Sequence, residues 1–366
     1  MDNQLQPASE LYIGLMSGTS LDGVDVALCR IDEVNCELIA SLEYPLPGEL
    51  KSEILDAIEG QAGLVKVGEL DHRLGVLFAD AVNALLEKED FESADIKAIG
   101  SHGQTLWHEP VGSYPFSMQL GDPNIIAVKT SISVVADFRR KDMALGGQGA
   151  PFAPAFHSFL FGDKGEKMAV VNIGGMANLT VFGEKLIGYD TGCGNVLMDM
   201  WIAKYNGSRY DKDGLWAKSG KVDYPLLEQM LEDDYFKQEY PKSTGREKFN
   251  RKWLEKIIGQ VQDDEQWQAD IQRTLLELTA ISISNEVLKF QRDILLLCGG
   301  GARNSFLVER IKVMMPNIEV VIAENTDSLE AMAFAWLAYK RIHKEPVDLK
   351  DVTGAKENSI LGGLYE

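Results

Sequence analysis

The sequence is short of positive charge and of long apolar runs. Its 366 residues contain 36 Lys and Arg against 56 Asp and Glu, so the formal net charge is −20. Because no basic run offsets this charge, the sequence argues against nucleic acid or an anionic membrane surface as a partner. No apolar stretch approaches the roughly 20 residues that span a bilayer. We therefore expect a small-molecule ligand, bound in a local cationic pocket if it is an anion.

Cysteine is also scarce, and no two cysteines form a CxxC pair. Cys29, Cys36, Cys193 and Cys298 are scattered along the chain. This arrangement fits reduced thiols in a cytoplasm. The first ten residues lack the basic-then-apolar order of an export signal. We therefore expect a cytoplasmic location.

Three familiar site signatures are missing. No GxxxxGK precedes a Ser or Thr, so there is no P-loop, and the GCGNVL of residues 192–197 lacks the last glycine of a Rossmann GxGxxG. No GxSxG surrounds Ser17 or Ser20, which argues against an α/β-hydrolase. A nucleotide site would have to be built in another way.

The first distinctive feature present is an apolar strand, a tight polar turn and a second apolar strand, from Leu11 to Asp32. Glycines permit unusual backbone angles in such a turn, and hydroxyls beside exposed N–H groups suit an anion. Two carboxylates in the same turn would repel a phosphate unless a divalent cation or its water bridges them, which favours an Mg²⁺-nucleotide. An ordinary hairpin with a polar turn is the alternative. The turn residues are Gly18, Thr19, Ser20, Asp22, Gly23 and Asp25.

The order of predicted elements occurs twice. Each half reads β-β-β-α-β-α-β in outline and opens with a glycine-bearing hairpin, the second of which spans residues 167–183. Two such copies predict an α/β fold made by duplication, with a cleft between two lobes. We assign residues 1–137 and about 347–366 to the first lobe, and residues 138–346 to the second.

Individual elements follow from hydrophobic periodicity. Apolar residues at helical spacing predict long helices over residues 67–90 and 267–292. Residues 96–105 read as a short buried strand that ends in a polar loop. Residues 136–157 read as a connector rich in glycine and charge.

Asp190 is the candidate for catalysis. The segment GYDTGCGN, residues 188–195, puts it at the end of a strand and in front of a helix. A carboxylate at the C-terminal end of a strand is well placed to act as a general base. The spacing fits a helix-capping or turn aspartate equally well.

The densest positive cluster in this acidic chain is Arg139, Arg140 and Lys141, beside the glycine loop 146–149. Guanidinium groups bind carboxylates through two parallel hydrogen bonds, so this loop is a candidate site for an acidic sugar. A solvated charge run is the alternative. Arg246 lies in another polar loop, KSTGREKFN.

Further candidate site residues lie after a predicted buried strand and at the start of a predicted helix near the C-terminal end. The spacing of His102 and His108 fits no zinc site, so His102 is interpreted as a cleft residue. Glu330 is a cleft candidate that could equally stabilise its helix N-terminus. The candidate substrate-binding residues are His102, Gln104, Arg139, Arg140, Gly147, Arg246 and Glu330.

The duplicated architecture resembles the actin-like ATPase and sugar kinase superfamily, in which two ribonuclease-H-like lobes flank a central cleft. The two hairpins resemble its paired phosphate loops, and LLLCGGGARN resembles its adenosine motif. This resemblance implies ATP and Mg²⁺ as cofactors, with Asp22 as a metal ligand, directly or through water. The nucleotide-binding residues that it implies are Gly18, Thr19, Ser20, Leu21, Asp22, Gly23, Val24, Asp25, Gly174, Gly175, Asn178, Gly299, Gly300, Gly301 and Asn304.

Seven motifs in one order narrow the resemblance. MSGTSLDGVD, SHGQT, ADFRRKDMALGGQGAP, NIGGMANLT, GYDTGCGN, STGREKFN and CGGGARN together resemble the 1,6-anhydro-N-acetylmuramic acid kinase family. That family uses ATP and Mg²⁺ to open the anhydro bridge of a sugar released in cell-wall recycling and to phosphorylate its O6. Asp190 matches the family's catalytic base, and a homodimer is implied. Position 193 is Cys where the family usually has Pro, which leaves the rigidity of this turn open.

Two other functions remain compatible with the sequence. Another sugar or small-acid kinase of the same superfamily needs a hydroxyl nucleophile but no attacking water. A nucleotide-gated, actin-like binding protein would hydrolyse ATP without any dependence on sugar.

Overall fold

The computed structural model describes residues 9–18, 21, 23–162, 167–246, 248–260, 262–323 and 328–366. The chain forms two compact units. Unit 1 comprises Met1–Leu160 and Ser328–Glu366, and unit 2 comprises Phe161–Asp327. In the sequence, unit 2 is therefore one continuous segment between the two segments of unit 1.

Helices and strands occur throughout the described residues. The first are β1 (Glu10–Ser17), β2 (Gly23–Ile31), β3 (Cys36–Pro45), α1 (Gly48–Ile58), α2 (Leu64–Glu89), β4 (Ile96–Glu109), β5 (Phe116–Leu120), α3 (Pro123–Thr130), β6 (Val134–Ala136), α4 (Phe138–Ala144) and α5 (Ala153–Phe161). Next come β7 (Met168–Ile173), β8 (Met176–Val181), β9 (Ile187–Cys193), α6 (Val196–Tyr205), α7 (Leu215–Ser219), α8 (Tyr224–Leu231), α9 (Asp234–Lys237), α10 (Arg251–Ile258) and α11 (Glu265–Leu288). The last are β10 (Ile294–Cys298), α12 (Ser305–Met314), β11 (Glu319–Ile322), α13 (Leu329–Ile342), α14 (Lys350–Thr353) and β12 (Gly363–Tyr365). Among the described helices, none has the length and apolar character needed to cross a membrane.

The sheet of unit 1 has the strand order β12-β6-β4-β1-β2-β3, and β5 pairs with β4. Strands β1, β2 and β3 form an antiparallel meander. Strands β4 and β6 continue the sheet in parallel with β1, and β12 closes it antiparallel to β6. The C-terminal stretch therefore lies in unit 1.

The sheet of unit 2 repeats this pattern in the order β11-β10-β7-β8-β9. Strands β7, β8 and β9 form an antiparallel meander, and β10 and β11 extend it in parallel with β7. Order and direction match β6-β4-β1-β2-β3 of unit 1, so the predicted duplication is confirmed. The chain has the two-lobe, ribonuclease-H-like α/β fold.

Residue type explains how these elements bury their side chains. Strand β10 is apolar at every position because a parallel strand between two neighbours is covered on both faces. Helix α2 instead buries one stripe, in which Leu70, Leu74, Phe78 and Leu85 recur at helical spacing.

Helix α13 lies in direct backbone contact with strands β1 and β4. A Cβ atom on Gly14 would lie 1.8 Å from the carbonyl oxygen of Ala331, and one on Gly100 would lie 1.9 Å from that of Phe334. The absence of side chains at these two strand positions therefore permits the close approach. This packing explains why residues 328–346, which the sequence analysis assigned to the second lobe, lie in unit 1.

We expect Gly14→Ala to lower the free energy of unfolding by about 3 kcal/mol, because the new methyl group meets helix backbone that cannot rotate away. Gly68→Ala is the matched control, since a Cβ atom there meets nothing within 4 Å. In the exposed interior of α2 it should stabilise the chain by about 0.5–1 kcal/mol. Denaturant unfolding of both variants measures the difference, and equal stability of the two would contradict the packing argument.

Some predicted elements differ from the observed ones. Strand β4 continues to Glu109 instead of ending in a loop near Thr105, because its second half pairs with β5. The connector at 136–157 contains helix α4 and most of helix α5, and its residues 138–157 lie in unit 1 instead of the second lobe. The four short helices α7 to α10 were not predicted. Their bounds are set by local caps such as Asp223 and Asn250, whose side chains accept backbone N–H bonds.

Candidate active site

Asp190 lies in the middle of the buried strand β9, not at its end as predicted, and donors from the described residues Asn178, Ser243 and Thr244 hold its carboxylate. Oδ1 accepts a hydrogen bond from Asn178 Nδ2 at 2.6 Å, and Oδ2 accepts from Ser243 Oγ at 2.8 Å and from Thr244 N at 2.9 Å. A register shift in the β8–β9 pair after Ala177 sets Asn178 opposite Asp190. Because all three groups donate, they favour the ionised carboxylate and fix its orientation.

The backbone of Asp190 is held by the same part of unit 2. Its N–H donates to the carbonyl of Lys242 at 3.1 Å, and its carbonyl accepts from Tyr235 Oη at 2.7 Å. Asp190 is not at the N-cap of helix α6, because that position is occupied by Asn195. Asp190 is therefore a strand residue with an oriented carboxylate and not a helix cap.

The glycine turn between β7 and β8 packs against the start of helix α6. Gly194 N donates to the carbonyl of Gly175, and Asn195 N donates to that of Gly174, both at 2.9 Å. A Cβ atom on Gly194 would lie 2.3 Å from the Gly174 oxygen, so glycine is needed at position 194. Backbone contacts therefore fix the turn against the start of helix α6, and Thr279 Oγ1 adds a hydrogen bond to the Gly194 carbonyl at 2.9 Å.

A second glycine segment follows β10 and packs on the same turn. Gly299 has φ +78°, which favours glycine, and a Cβ atom on Gly301 would lie 2.3 Å from Ile173 Cγ2. A Cβ atom on Gly300 would meet nothing within 4 Å, so the backbone there is open to a ligand. Unit 2 thus brings two of the predicted nucleotide segments together.

Unit 1 gathers four predicted substrate residues around Arg139. The Arg139 guanidinium donates to the carbonyl of Gly149 at 2.6 Å and to His102 Nε2 at 2.8 Å, and it lies 5.2 Å from the centre of the Phe152 ring. Because Arg139 can only donate, His102 accepts through Nε2 and carries its proton on Nδ1. Within the part of the chain that the structure describes, Arg139 Nε is a buried donor without a hydrogen-bond partner. Such donors mark a place where a ligand can bind.

Burial sets the charge state of this cluster. Desolvation, reinforced by the Arg139 charge, holds the pKa of His102 well below its ordinary value, so the imidazole is neutral at pH 7. Burial also lowers the pKa of Arg139 to about 10, while Glu330 and Asp142 act to raise it. Arg139 therefore stays charged at neutral pH and is a desolvated cation.

Two other predicted residues support the cluster through their neighbours. Gln104 is buried and accepts a hydrogen bond from Ser17 Oγ at 2.7 Å. A Cβ atom on Gly147 would lie 2.2 Å from Asp142 Oδ2. Asp142 in turn accepts from Gly149 N at 2.8 Å and from Thr353 Oγ1 at 2.8 Å. Gly147 therefore belongs to the loop that holds Gly149 against Arg139.

Arg140 and Arg246, the other two predicted arginines, are both exposed. Arg140 is exposed and pairs with Asp137 at 2.6 Å, although it adjoins Arg139 in sequence. Arg246 is an exposed residue of unit 2, and its carbonyl accepts from Asn250 Nδ2 at 3.1 Å. Of the three arginines predicted to meet a substrate carboxylate, Arg139 alone joins His102 in this cluster.

The sequence is similar to one family over almost its whole length. The profile of the anhydro-N-acetylmuramic acid kinase family matches residues 10–366. Proteins named anhydro-N-acetylmuramic acid kinase include that of Sulfurovum sp. (strain NBC37-1), which is 67% identical over 97% of this chain and 99% of its own length. Those of Sulfurimonas denitrificans and Aliivibrio fischeri are 53% and 51% identical, over 98% and 97% of this chain and 100% and 99% of their own lengths. The chain belongs to the anhydro-N-acetylmuramic acid kinase family.

For this member of the anhydro-N-acetylmuramic acid kinase family, the first predicted phosphate loop is partly described. Leu21 N donates to the Gly18 carbonyl at 3.2 Å, and Leu21 has φ +54°, which closes the turn between β1 and β2. The side chains of Leu21 and Val24 are buried in the core of unit 1, so only their backbone can face a ligand. Gly23 and Asp25 lie on β2. Thr19, Ser20 and Asp22 lie outside the described residues.

Two predicted nucleotide residues have a different contact from the one expected. Asn178 donates to Asp190, and Asn304 caps helix α12 by accepting from Leu307 N at 3.0 Å. Sequence analysis did not single out Ser243 or Thr244 as partners of Asp190. The sequence feature that could have indicated them is the polar segment KSTGREKFN, to which the sequence assigned no helix or strand.

Proposed function

We propose that this chain uses ATP to open 1,6-anhydro-N-acetylmuramic acid hydrolytically and to phosphorylate O6, which gives N-acetylmuramic acid 6-phosphate for reuse of cell-wall sugar. Membership of the anhydro-N-acetylmuramic acid kinase family supports the phosphotransferase activity. The observation that carries the hydrolytic half is the oriented Asp190 carboxylate, with Asn178, Ser243 and Thr244 as its donors.

In this proposal Asp190 accepts a proton from water as the water oxygen bonds to the anomeric carbon. The bond between that carbon and O6 breaks, and O6 takes the γ-phosphoryl group from ATP. Hydrogen bonds donated to the carboxylate favour its ionised form, which is the form that can accept a proton. The contribution of the protein is to align water, sugar and phosphoryl group so that they react together.

The nucleotide is proposed to bind against backbone rather than side chains. Gly174 and Gly175 of the β7–β8 turn, with Gly299 to Gly301, are proposed to let the nucleotide approach the backbone closely, and a Cβ atom on Gly300 would meet nothing within 4 Å. The turn from Gly18 to Asp25 is proposed as a further phosphate loop. Mg²⁺, when bound, neutralises phosphate charge, and Asp22 is its proposed ligand.

The lactyl carboxylate of the sugar is proposed to meet Arg139. A desolvated guanidinium held between His102 and Gly149 has a fixed orientation, which suits a planar anion. His102, Gln104, Gly147 and Glu330 are proposed to line or support this site. A cytoplasmic location and a homodimer are also part of the proposal.

The test is ADP release coupled to a reporter enzyme, with the anhydro-sugar, N-acetylmuramic acid and N-acetylglucosamine compared as substrates. We expect turnover with the anhydro-sugar alone. In ¹⁸O water, the label should appear at the C1 hydroxyl of the product faster than anomeric exchange of unlabelled product allows. Equal turnover of N-acetylmuramic acid, or product without label, would instead indicate an ordinary sugar kinase.

A further inference from the structure

A buried ion pair lies next to the segment that binds Asp190. The side chains of Lys242 and Glu286 are 1% and 5% exposed, and Lys242 Nζ lies 2.6 Å from Glu286 Oε1. Tyr189 Oη donates to Glu286 Oε2 at 2.9 Å, and Lys242 Nζ also donates to the carbonyl of Tyr235 at 3.4 Å. Replacing a buried pair of this kind by apolar residues is often neutral or stabilising, so stability alone does not account for it.

Hydrogen bonds hold Glu286 in its charged form. Burial raises the pKa of Glu286, but hydrogen bonds from Lys242, Lys289 and Tyr189 outweigh it and bring the pKa below the ordinary value. The rings of Tyr189 and Tyr235 have their centres 6.0 and 5.0 Å from Lys242 Nζ. The Lys242 side-chain nitrogen is therefore surrounded by a carboxylate, a carbonyl and two aromatic rings, and these contacts fix its position.

The backbone of Lys242 and of the two residues after it connects this side chain to Asp190 through hydrogen bonds. The Lys242 carbonyl accepts a hydrogen bond from Asp190 N. Lys242 Nζ donates to the carbonyl of Tyr235, and the hydroxyl of Tyr235 donates to the Asp190 carbonyl. The next two residues, Ser243 and Thr244, carry both of the donors to Asp190 Oδ2. A shift of the Lys242 side chain would therefore move both donors together.

We propose that Lys242 and Glu286 are positioning residues, which hold Ser243 and Thr244 against Asp190 and so set the orientation of its carboxylate. The inference rests on the proposed role of Asp190 as the general base. It assigns a purpose to a charge pair that does not itself contact any reacting group.

Two variants test this role, so that the test does not depend on a single variant that could fail to fold. Lys242→Met removes the cation and leaves Glu286 with Lys289, whose Nζ lies 2.7 Å from Glu286 Oε2. The double variant Lys242→Met/Glu286→Gln removes both buried charges and keeps the size and shape of both side chains. The amide oxygen introduced at position 286 can still accept the hydrogen bond from the Tyr189 hydroxyl. We expect the double variant to melt at a temperature close to that of the wild type, because no buried charge is left unpaired.

The expected kinetic result is a loss of kcat without a loss of ATP affinity. A misplacement of about 1 Å at a reacting group can cost about a hundredfold, so we expect kcat of the double variant to fall by about tenfold to a hundredfold. The assay is made well below the melting temperature of each variant. The KM for ATP should change little, because the two positions lie outside the glycine segments.

Arg310→Met is the matched control, because it removes a cation from another carboxylate of helix α11. Arg310 binds Glu277 through Nε at 3.1 Å and a second guanidinium nitrogen at 2.9 Å. Glu277 keeps Arg273 at 3.1 Å, as Glu286 keeps Lys289. This variant should lose stability and retain its kcat.

Amide hydrogen exchange supplies a readout that does not depend on activity. Thr244 N–H is bonded to Asp190 Oδ2, so its exchange should quicken in the double variant and stay unchanged in Arg310→Met. Exchange at the wild-type rate, an unchanged kcat, or the same kcat loss in Arg310→Met would overturn the inference. A fully active Asp190→Asn enzyme would instead remove the base from the proposed function, whatever the exchange at Thr244.

Discussion

Asp190→Asn is expected to lower kcat for the anhydro-sugar by about 10²–10⁴-fold, the usual contribution of one general base. The amide keeps the shape of the carboxylate but cannot accept a proton from water at neutral pH. Its NH₂ group must also face at least one of the donors Asn178, Ser243 or Thr244, which weakens its orientation. Steady-state ADP release measures the loss, and titration with ATP should show affinity close to that of the wild type.

Asp211→Asn is the control for this substitution. Asp211 is another buried aspartate of unit 2, and its carboxylate accepts from Trp216 N and Ala217 N, both at 2.9 Å. Its replacement should lower the melting temperature and leave kcat unchanged. Near-normal turnover of Asp190→Asn would remove that residue from the role of base.

Arg139→Met is expected to raise the KM for the anhydro-sugar by about tenfold to a hundredfold, because a hydrogen bond to a charged group is worth about 1.5–3 kcal/mol. The KM for ATP should change little. Arg139→Lys keeps the charge but not the planar pair of donors, so it should recover only part of the affinity. Initial-rate kinetics with each substrate varied in turn separate the two effects.

The neighbouring Arg140 provides a matched control for this prediction. Its side chain is 65% exposed and pairs with Asp137, so Arg140→Met should leave both KM values near those of the wild type. If the two variants raised the KM for sugar equally, the carboxylate site would have to lie elsewhere. Substrates without the lactyl group give a second check, since Arg139→Met should not weaken their binding further.

The sequence predicts the repeated architecture because the relevant signals are short-range. Strand periodicity, a glycine turn and a second strand lie within about twenty residues in each hairpin, and both hairpins form as predicted. Asp190 is singled out from a predicted strand followed by glycines, although it lies in the middle of β9 (Ile187–Cys193) and not at its end as predicted. Its donors Ser243 and Thr244 could not be found in this way, because they come from 53 and 54 residues further along the chain.

The division of the chain into units shows the same limit. Nothing in the local sequence of helix α13 indicates that its backbone rests on Gly14 and Gly100. Arg139 and Arg140 are equally indistinguishable in sequence. Only the fold shows that one is enclosed with His102 and that the other faces solvent beside Asp137.

The split of unit 1 into two segments has a consequence for synthesis on the ribosome. Unit 2 is continuous, so all of it can emerge and fold before residues 328–366 have been translated. Until then the sheet begun by β1 to β6 lacks its edge strand β12, and its face at Gly14 and Gly100 lacks helix α13. During this interval the edge of β6 has no partner strand, and an unpaired sheet edge can pair with another chain.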